Sequence, residues 1–419
     1  MQDNEKKPAL RFKGFTDPWE QRKLAELTKT ITTGKSVNSD EGEVSDGNIG
    51  VLKTSCVSYD RFNPSESKPV VKSEQQLVKC AVEKDSVIVS RMNTPERVGA
   101  CGYVSTDFPN LFLPDRLWKL KFQDTVDTYF VYMMLVSSAY KEKITSMASG
   151  TSGSMYNIPK ETFLNLQLVI PAKIDEQKQL GKILKKIDTL ITLHQRKYEK
   201  LVNIKKSMLD KMFPKNGASV PEIRFKGFTD PWEQRKLSDI VEKVTEKNAG
   251  WQYIETFTNS AEFGIISQRD FFDHDISKIG SLDGYYVVHN EDFVYNPRIS
   301  VTAPVGPINR NKLGRTGVMS PLYTVFRPHD IDTTYLEHFF KSEYWHSFMN
   351  FNGDSGARSD RFSIKDSVFF EMPIPTPDIE EQKKIGEFLT LLDTLITLHQ
   401  RKLEKLQNIK KSCLEKMFV

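Results

Sequence analysis

The chain has 419 residues, of which 38% are hydrophobic and 27% are charged, which is enough for about two to four domains with cores of their own. Its 59 basic and 55 acidic residues leave a net charge of +4, too small to indicate nucleic-acid binding by bulk attraction. The longest uncharged apolar stretch, 128–140, is shorter than the roughly 18 residues of a membrane-spanning helix. Because the N-terminal residues also lack a signal-peptide core, we expect a soluble, cytoplasmic protein.

The first recognisable element is one that occurs twice. Residues 11–24 read RFKGFTDPWEQRKL, and residues 224–237 read the same letters again. A second pair of segments, 174–213 and 379–418, shares 28 of 40 residues. The chain is therefore a tandem duplication, and each half consists of a conserved segment, a divergent insert and a second conserved segment.

The inserts, residues 25–173 and 238–378, show almost no mutual similarity and read as mixed, strand-rich domains. Their β-branched and aromatic content predicts strands at 85–92, 117–122, 292–297 and 322–328, and their periodicity predicts helices at 125–144 and 332–351. Each insert then ends in a polar loop, an apolar exit strand (LQLVIP or FFEMPIP) and a proline. Residues 214–221 (PKNGASVP) read as a linker between the halves.

The 40-residue segments predict two long helices with a coiled-coil seam. With Leu184 at a and Ile187 at d, core positions alternate in steps of four and three over more than four heptads. The seam comprises Leu184, Ile187, Ile191, His194, Tyr198 and Leu201, and then Leu389, Leu392, Ile396, His399, Leu403 and Leu406. A third column at g widens the apolar stripe: Ile183, Leu190, Ile204, Phe388, Leu395 and Ile409. Either a partner protein covers this column, or the helices lie against the inserts of their own chain.

Polar residues interrupt the seam at matching places. His194 and His399 fall at d inside the shared run DTLITLHQRK. If the helices run antiparallel about a pseudo-two-fold axis, these midpoints face each other, and paired core histidines are then favoured over a metal site. Lys205 and Lys410, at a, have the character of polar positions that set the register.

The sequence carries no motif that performs chemistry. The run Thr33 to Ser36 lacks the first glycine of a P-loop, and the loops at 150–154 and 353–357 lack the closing glycine of a nucleophile elbow. Four cysteines without a C-x-x-C pair favour buried free thiols over a disulfide framework or a zinc site. We therefore predict a chain without catalysis, metal or cofactor of its own.

Two diverged domains spaced by two nearly identical helices are suited to reading two DNA half-sites. The motif F-x-G-F-x-D-x-W-E at 12–20 and 225–233, the starts I-D-E-Q-K at 174 and I-E-E-Q-K at 379, and the polar loop before each exit strand resemble the specificity subunit of a type I restriction-modification system. The resemblance covers nearly the whole chain.

The resemblance implies an α+β fold: two pseudo-symmetric mixed α/β target-recognition domains separated by two long helices that pack as an antiparallel coiled coil. The domains would be 1–173 (target recognition 1, with its conserved segment at 8–24), 174–213 (helical region 1), 214–221 (linker), 222–378 (target recognition 2) and 379–419 (helical region 2).

The resemblance also implies that each domain reads one half of a bipartite, asymmetric site in double-stranded DNA. The helices would set the spacer and dock two methyltransferase subunits, and two restriction subunits would complete an ATP-dependent endonuclease. S-adenosylmethionine, ATP and magnesium would belong to those partners. Three alternatives stay open: a recognition subunit of a related methylase or type IIB-like system without a separate restriction subunit, a self-sufficient restriction enzyme, and a coiled-coil scaffold that binds only proteins.

Candidate DNA contacts are polar residues in loops beside strands, because arginine pairs with guanine and asparagine with adenine. They are Arg91, Asn93, Arg97, Thr151, Ser152, Ser154, Tyr156, Asn157, Asn296, Arg298, Arg310, Arg315, Ser355, Arg358, Ser359 and Arg361. For any one of them a solvated loop, a phosphate contact or a helix cap is the alternative.

Overall fold

The computed structural model describes residues 8–45, 47–59, 61–150, 154–215, 217–272, 279–355 and 360–418. The chain divides into a first unit, residues up to 195 together with 401–419, and a second unit, residues 196–400. Each unit thus combines one insert with the start of one long helix and the end of the other. Within the described ranges, no helix has both the length and the apolar composition to cross a bilayer.

The strands and helices of the first half of the chain follow in order. They are β1 Glu20–Lys23, α1 Leu24–Leu27, β2 Thr28–Thr33, β3 Gly50–Leu52, β4 Val57–Ser58, β5 Arg61–Phe62, β6 Ser67–Pro69, β7 Ala81–Val82, β8 Ser86–Ser90, β9 Met92–Asn93, β10 Cys101–Val104, β11 Phe108–Phe112, β12 Leu117–Phe122, α2 Thr128–Leu135, α3 Ser138–Ser146, β13 Tyr156–Asn157, α4 Lys160–Leu164, β14 Gln167–Ile170 and α5 Ile174–Lys211.

The second half continues the series. Its elements are β15 Glu233–Lys236, β16 Val241–Lys243, β17 Phe257–Ser260, β18 Gly264–Ser267, α6 Gln268–Phe272, β19 Tyr286–Val288, β20 Phe293–Tyr295, β21 Ile308–Arg310, β22 Gly317–Met319, β23 Thr324–Pro328, α7 Thr333–Phe340, α8 His346–Asn352, α9 Asp366–Phe369, β24 Pro373–Thr376 and α10 Ile379–Met417.

The two units contain the same central sheet although their inserts differ in sequence. The strand order is β10-β8-β12-β2 in the first unit and β21-β20-β23-β16 in the second, antiparallel throughout. The four predicted strands are confirmed as β8, β12, β20 and β23. Outside this sheet the units diverge: the first adds a sheet of order β6-β3-β11-β7, and the second adds the strand pairs β17-β18 and β19-β22. The predicted α+β class is confirmed.

The predicted helices are each broken in two, and the second exit strand is shorter than predicted. Residues 125–144 contain α2 and part of α3, because Ser137 adopts an extended backbone with ψ of 152° and donates its hydroxyl to the Met134 carbonyl at 2.7 Å. Residues 332–351 likewise divide into α7 and α8. Phe369, predicted as strand, ends the short helix α9, so the exit strand β24 begins only at Pro373.

A buried carboxylate joins the conserved segment of the first unit to its long helix. Glu176, in the first turn of α5, accepts hydrogen bonds from Arg11 Nε at 2.7 Å and Nη2 at 2.8 Å and from Trp19 Nε1 at 3.3 Å. Directly after Trp19, strand β1 pairs antiparallel with the exit strand β14. The conserved segment therefore clamps the exit strand and the helix start together.

The second unit repeats this clamp residue for residue. Glu381 accepts from Arg224 Nε and Nη2, both at 2.8 Å, and from Trp232 Nε1 at 3.1 Å, while β15 pairs with β24. Burial of a carboxylate is tolerable only when its charge is paired and its oxygens are hydrogen-bonded. Both requirements are met here by the residues that the duplication preserves.

The residue after each clamp carboxylate holds the helix that covers the sheet. Gln177 accepts from the Asp127 backbone N–H at 3.1 Å and donates to the Pro171 carbonyl at 2.9 Å, and Asp127 is the N-cap of α2. Gln382 bonds to the N-cap Asp332 of α7 in the same way. The identical pattern in both units shows why the letters E-Q recur at the two helix starts.

The long helices pair antiparallel within each unit. In the first unit Lys410 binds Asp188 at 2.8 Å, and the chain end of α10 packs beside Leu180 and Leu184. In the second unit Lys205 pairs with Asp393, the equivalent residue. The predicted antiparallel coiled coil is confirmed, and the two seam lysines have carboxylate partners that fix the register.

The C-terminal end of each long helix packs into the core of the unit that contains the N-terminal end of the other helix: α5 ends in the second unit and α10 in the first. Phe213, just beyond α5, lies 5.6 Å from Tyr335 and 5.7 Å from Phe339, ring centre to ring centre, in the second unit. Phe418, just beyond α10, lies 5.5 Å from Phe130 in the first unit. The shared ending K-M-F therefore completes a core in each unit.

Replacement of Glu381 by alanine tests the clamp. The change leaves the guanidinium of Arg224 mostly buried without its carboxylate, so we expect a loss of about 3–5 kcal/mol in the free energy of unfolding, measured by urea denaturation. Glu380→Ala is the matched control. Among the described residues Glu380 pairs with Lys383 alone, on the exposed helix surface, and a loss under about 0.5 kcal/mol is expected there. Equal effects of the two variants would contradict the clamp.

Candidate nucleic-acid interface

Two loops meet at one end of the central sheet of the first unit. Strand β9 follows β8 after Arg91, and it pairs with β13, which follows the polar loop; Tyr156 lies opposite Asn93 and Asn157 opposite Met92. The backbone N–H of Ile158 also donates to the Arg91 carbonyl at 2.9 Å. The sheet thus brings together the two segments in which the first-unit candidates were predicted.

Two of these candidates are engaged in holding the loop. Asn93 is buried, its Nδ2 donates to Ser90 Oγ at 3.0 Å, and its Oδ1 accepts from the Thr94 backbone at 2.9 Å. Arg91 donates from Nε to the Asp115 carbonyl at 2.8 Å. Both residues therefore shape the end of the sheet, whereas Arg97 is exposed on the turn that follows.

The second unit places the corresponding segments in the same way. Arg298, after β20, forms an antiparallel bridge with Arg361, and the Phe362 N–H donates to the Pro297 carbonyl at 2.7 Å. Both arginines are exposed, and neither is ion-paired with any residue in the described ranges. Two cationic side chains across one bridge repel each other, so this pair is a natural place for an anion or for an array of hydrogen-bond acceptors.

Asn296 and Asn259 hold the backbone beside that bridge through hydrogen bonds. Asn296 Nδ2 donates to the Asn259 carbonyl at 2.8 Å, and its Oδ1 accepts from the Arg298 backbone at 2.9 Å. Asn259 is buried and donates to the Val294 carbonyl at 2.7 Å. Asn296 therefore positions Arg298, and Asn259, which sequence reasoning missed, carries no pattern that would distinguish it from a strand asparagine.

Arg310 lies in a buried ion cluster. Its guanidinium is 8% exposed and binds Glu337 at 2.6 Å and Glu291 at 3.0 Å. Burial alone would raise the pKa of Glu337, but Lys341, Arg310 and Lys312 outweigh burial and lower that pKa to about 2. These contacts give Arg310 a structural part rather than a base-reading one.

The remaining predicted DNA contacts are either ion-paired, exposed on a loop or outside the described residues. Arg315 is exposed but makes a two-point ion pair with Glu255, at 2.7 Å for each bond. Ser154 and Ser355 are exposed on their loops. Thr151, Ser152, Arg358 and Ser359 lie outside the described residues. Sequence reasoning also missed Val301, whose side chain is fully exposed on the turn between Ser300 and Ala303, beside Arg298.

A lysine-rich cleft in the first unit was also missed. It has a volume of about 610 Å³ and lies at the start of β8, the opposite end of that strand from Arg91. Its lining includes Lys178, Lys182 and Lys185, together with Lys84 and Lys121. The first three follow the spacing i, i+4, i+7 of one helix face, which is the signal that could have revealed the cleft. Asp85, Asp124 and Asp127 also line the cleft, so its positive charge is partly balanced within the cleft itself.

The long helices expose part of their apolar stripe. Within the seam, Leu184, Ile187, Leu389, Leu392 and Leu403 are buried, whereas Ile183 and Ile409 of the g column are exposed. At position c, which adjoins the g column on the helix surface, Leu193 and Leu398 occupy equivalent places and are each 44% exposed, and Leu391 is 55% exposed; the exposed stripe consists of these g and c residues. Among the described residues no cluster of three or more His, Cys, Asp or Glu side chains is suited to a metal.

Comparison with known proteins follows the same division of the chain. A family model described as "Type I restriction modification DNA specificity domain" matches residues 16–203 and 229–408. The type I restriction enzyme MjaVIII specificity subunit of Methanocaldococcus jannaschii is 25% identical over 299 residues, which are 68% of this chain and 68% of that protein. The crystal structure of the type I restriction-modification S subunit from M. genitalium covers 99% of each chain with a TM-score of 0.62 at 15% identity, a similarity of fold.

Replacement of Arg310 by methionine tests whether this buried arginine stabilises the fold, as an exposed arginine does not. Glu337 loses its closest partner but keeps two lysines, so we expect unfolding to become easier by about 2 kcal/mol, measured by urea denaturation. Arg361→Met is the control. Because Arg361 is exposed, the free energy of unfolding of this variant should lie within about 0.5 kcal/mol of the wild-type value. A wild-type stability for the Arg310 variant would show that the cluster does not support the fold.

Proposed function

The chain belongs to the type I restriction-modification DNA specificity family, and from that premise we propose that each unit reads one half of a bipartite, asymmetric DNA sequence. Specificity subunits of this family recognise a DNA sequence and are not catalytic. The observation that carries the proposal is the pair of equivalent loop bridges, Met92 with Asn157 and Arg298 with Arg361. The same backbone arrangement presents different side chains in the two units.

Each bridge has the properties of a base-reading surface. It lies at the end of the sheet where the backbone is held by buried asparagines, so its outward side chains start from a rigid base. Arg298 and Arg361 are exposed and Met92 and Asn157 are half-buried; arginine and asparagine are residue types that contact base edges in the major groove. The lysine-rich cleft of the first unit lies at the opposite end of β8 from the bridge, so it is not part of this reading surface.

We further propose that the exposed stripe of the helices docks the methyltransferase subunits and that the helices set the spacer between the half-sites. Leu193 and Leu398 occur at equivalent positions, so a stripe of this kind offers two similar docking surfaces to two copies of one partner. Restriction subunits would join this assembly. S-adenosylmethionine, ATP and magnesium would be bound by the partners.

Exchange of one insert tests the division of labour. Residues 25–173 can be replaced by the insert of another family member, because β14 pairs with β1 through backbone bonds that do not depend on side chains. We expect one half of the methylated sequence to change and the other half and the spacer to remain, as read by sequencing methylated adenines in a host that expresses the whole complex.

The reciprocal exchange of 238–378 is the control and should alter the other half alone. A single exchange that changes both halves would contradict separate reading. Methyl transfer or cleavage by the chain alone would favour a self-sufficient enzyme, and a complex without any sequence preference would favour a protein-binding scaffold.

A charge placed in the exposed stripe tests docking. Leu398→Glu should weaken binding of the methyltransferase subunits by at least about tenfold, because an apolar anchor is lost and a charge is desolvated; sedimentation of the mixed subunits measures it. Thr397→Glu, at the neighbouring exposed residue, is the matched control and should bind normally. If both variants assemble as the wild type does, this face is not the docking surface.

A further inference from the structure

The two bridges occupy the same place in the two units, and this allows their side chains to be compared directly. In the first unit the Ile158 N–H donates to the Arg91 carbonyl at 2.9 Å, and in the second the Phe362 N–H donates to the Pro297 carbonyl at 2.7 Å. Ile158 and Phe362 are both buried. Asn157 therefore corresponds to Arg361, and Met92 to Arg298.

Both pairs face away from their cores. Neighbouring strand residues point to opposite faces, so the burial of Ile158 and Phe362 turns Asn157 and Arg361 outward. Partners across an antiparallel bridge share a face, with Cβ atoms about 5 Å apart. This separation exceeds the rise of one base step, about 3.4 Å along a strand, by less than the length of a side chain, so the two members of a bridge can reach adjacent base pairs.

The chemistry of the two pairs differs. Each guanidinium of the second unit can donate two hydrogen bonds to O6 and N7 of a guanine. In the first unit the amide of Asn157 suits N6 and N7 of adenine, and the Met92 thioether suits the methyl group of thymine. Asn157 Oδ1 is buried without a hydrogen-bond partner among the described residues, so the side chain has to turn outward to present both amide atoms to adenine, and this turn would give the unsatisfied oxygen a partner.

We propose that the half-site read by the second unit contains two adjacent G·C pairs, contacted by Arg298 and Arg361, and that the half-site read by the first unit has adjacent A·T pairs at the corresponding step, contacted by Met92 and Asn157. This inference rests on the proposed function. It makes these four residues the determinants of specificity at one step of each half-site.

The test uses the whole complex and duplexes that carry its mapped site with single base-pair changes, the halves being assigned by the insert exchange. Replacing either G·C pair of the second-unit step by A·T should weaken binding by about tenfold to a hundredfold. Arg361→Gln should abolish the discrimination at one of these pairs and leave the first-unit half unchanged. Arg315→Gln, an exposed arginine of the same unit, should leave both halves unchanged.

A transfer of side chains gives the complementary test. Arg298→Met combined with Arg361→Asn should shift the preferred step of the second half-site from G·C toward A·T, and Met92→Arg combined with Asn157→Arg should do the reverse in the first. Unchanged thermal unfolding of the complexes shows that the variants are folded.

Outcomes separate this inference from the function on which it rests. A complex without a bipartite preference contradicts the proposed function itself. A bipartite site whose second-unit half lacks adjacent G·C pairs overturns only the inference. So does an Arg361→Gln complex that binds all sequences more weakly by the same factor with a shallower salt dependence, since that behaviour marks a phosphate contact.

Discussion

The buried carboxylate at the start of each long helix is the interaction on which the rest of the structure depends. Glu381 is inaccessible to solvent and accepts three hydrogen bonds, from Arg224 and Trp232. Its backbone begins the helix, its partners belong to the segment before the sheet, and the next residue holds the N-cap of α7. One buried charge thereby sets where the helix starts relative to the sheet, and the end of the sheet is where the loop bridge lies.

This arrangement explains why the chain could diverge so far in its inserts. The clamp, the helix seam and the helix ends use the residues that the duplication preserves, whereas the central strands need only apolar, β-branched or aromatic side chains that many sequences supply. The bridge side chains face away from the core, so Met92 and Arg298 can differ without a cost in packing. Recognition is thus separated from stability within each unit.

The division between residues that stabilise the fold and residues that face away from the core also determines what could be predicted from the sequence. The heptad period reveals the long helices, the β-branched and aromatic content reveals the strands β8, β12, β20 and β23, and the duplicated letters reveal the two units. The partner of Glu381 could not be predicted from the sequence. Arg224 lies 157 residues before it, and no pattern in the sequence indicates that the two side chains are in contact. Arg310 is the same residue type as Arg298 and also lies near a strand end, yet its ion pair with Glu337 makes it part of a buried cluster. Which arginine is exposed depends on the neighbours that the fold supplies.

The exchange of helix ends has a consequence for biosynthesis. The core of the first unit includes Met417 and Phe418, which are synthesised only after both inserts. Chains generally fold from the N-terminus as they are made, but here the first unit lacks part of its apolar core until α10 has been synthesised. The second unit, by contrast, receives Phe213 before its own insert has been synthesised. The half that is made first is therefore the half that is finished last.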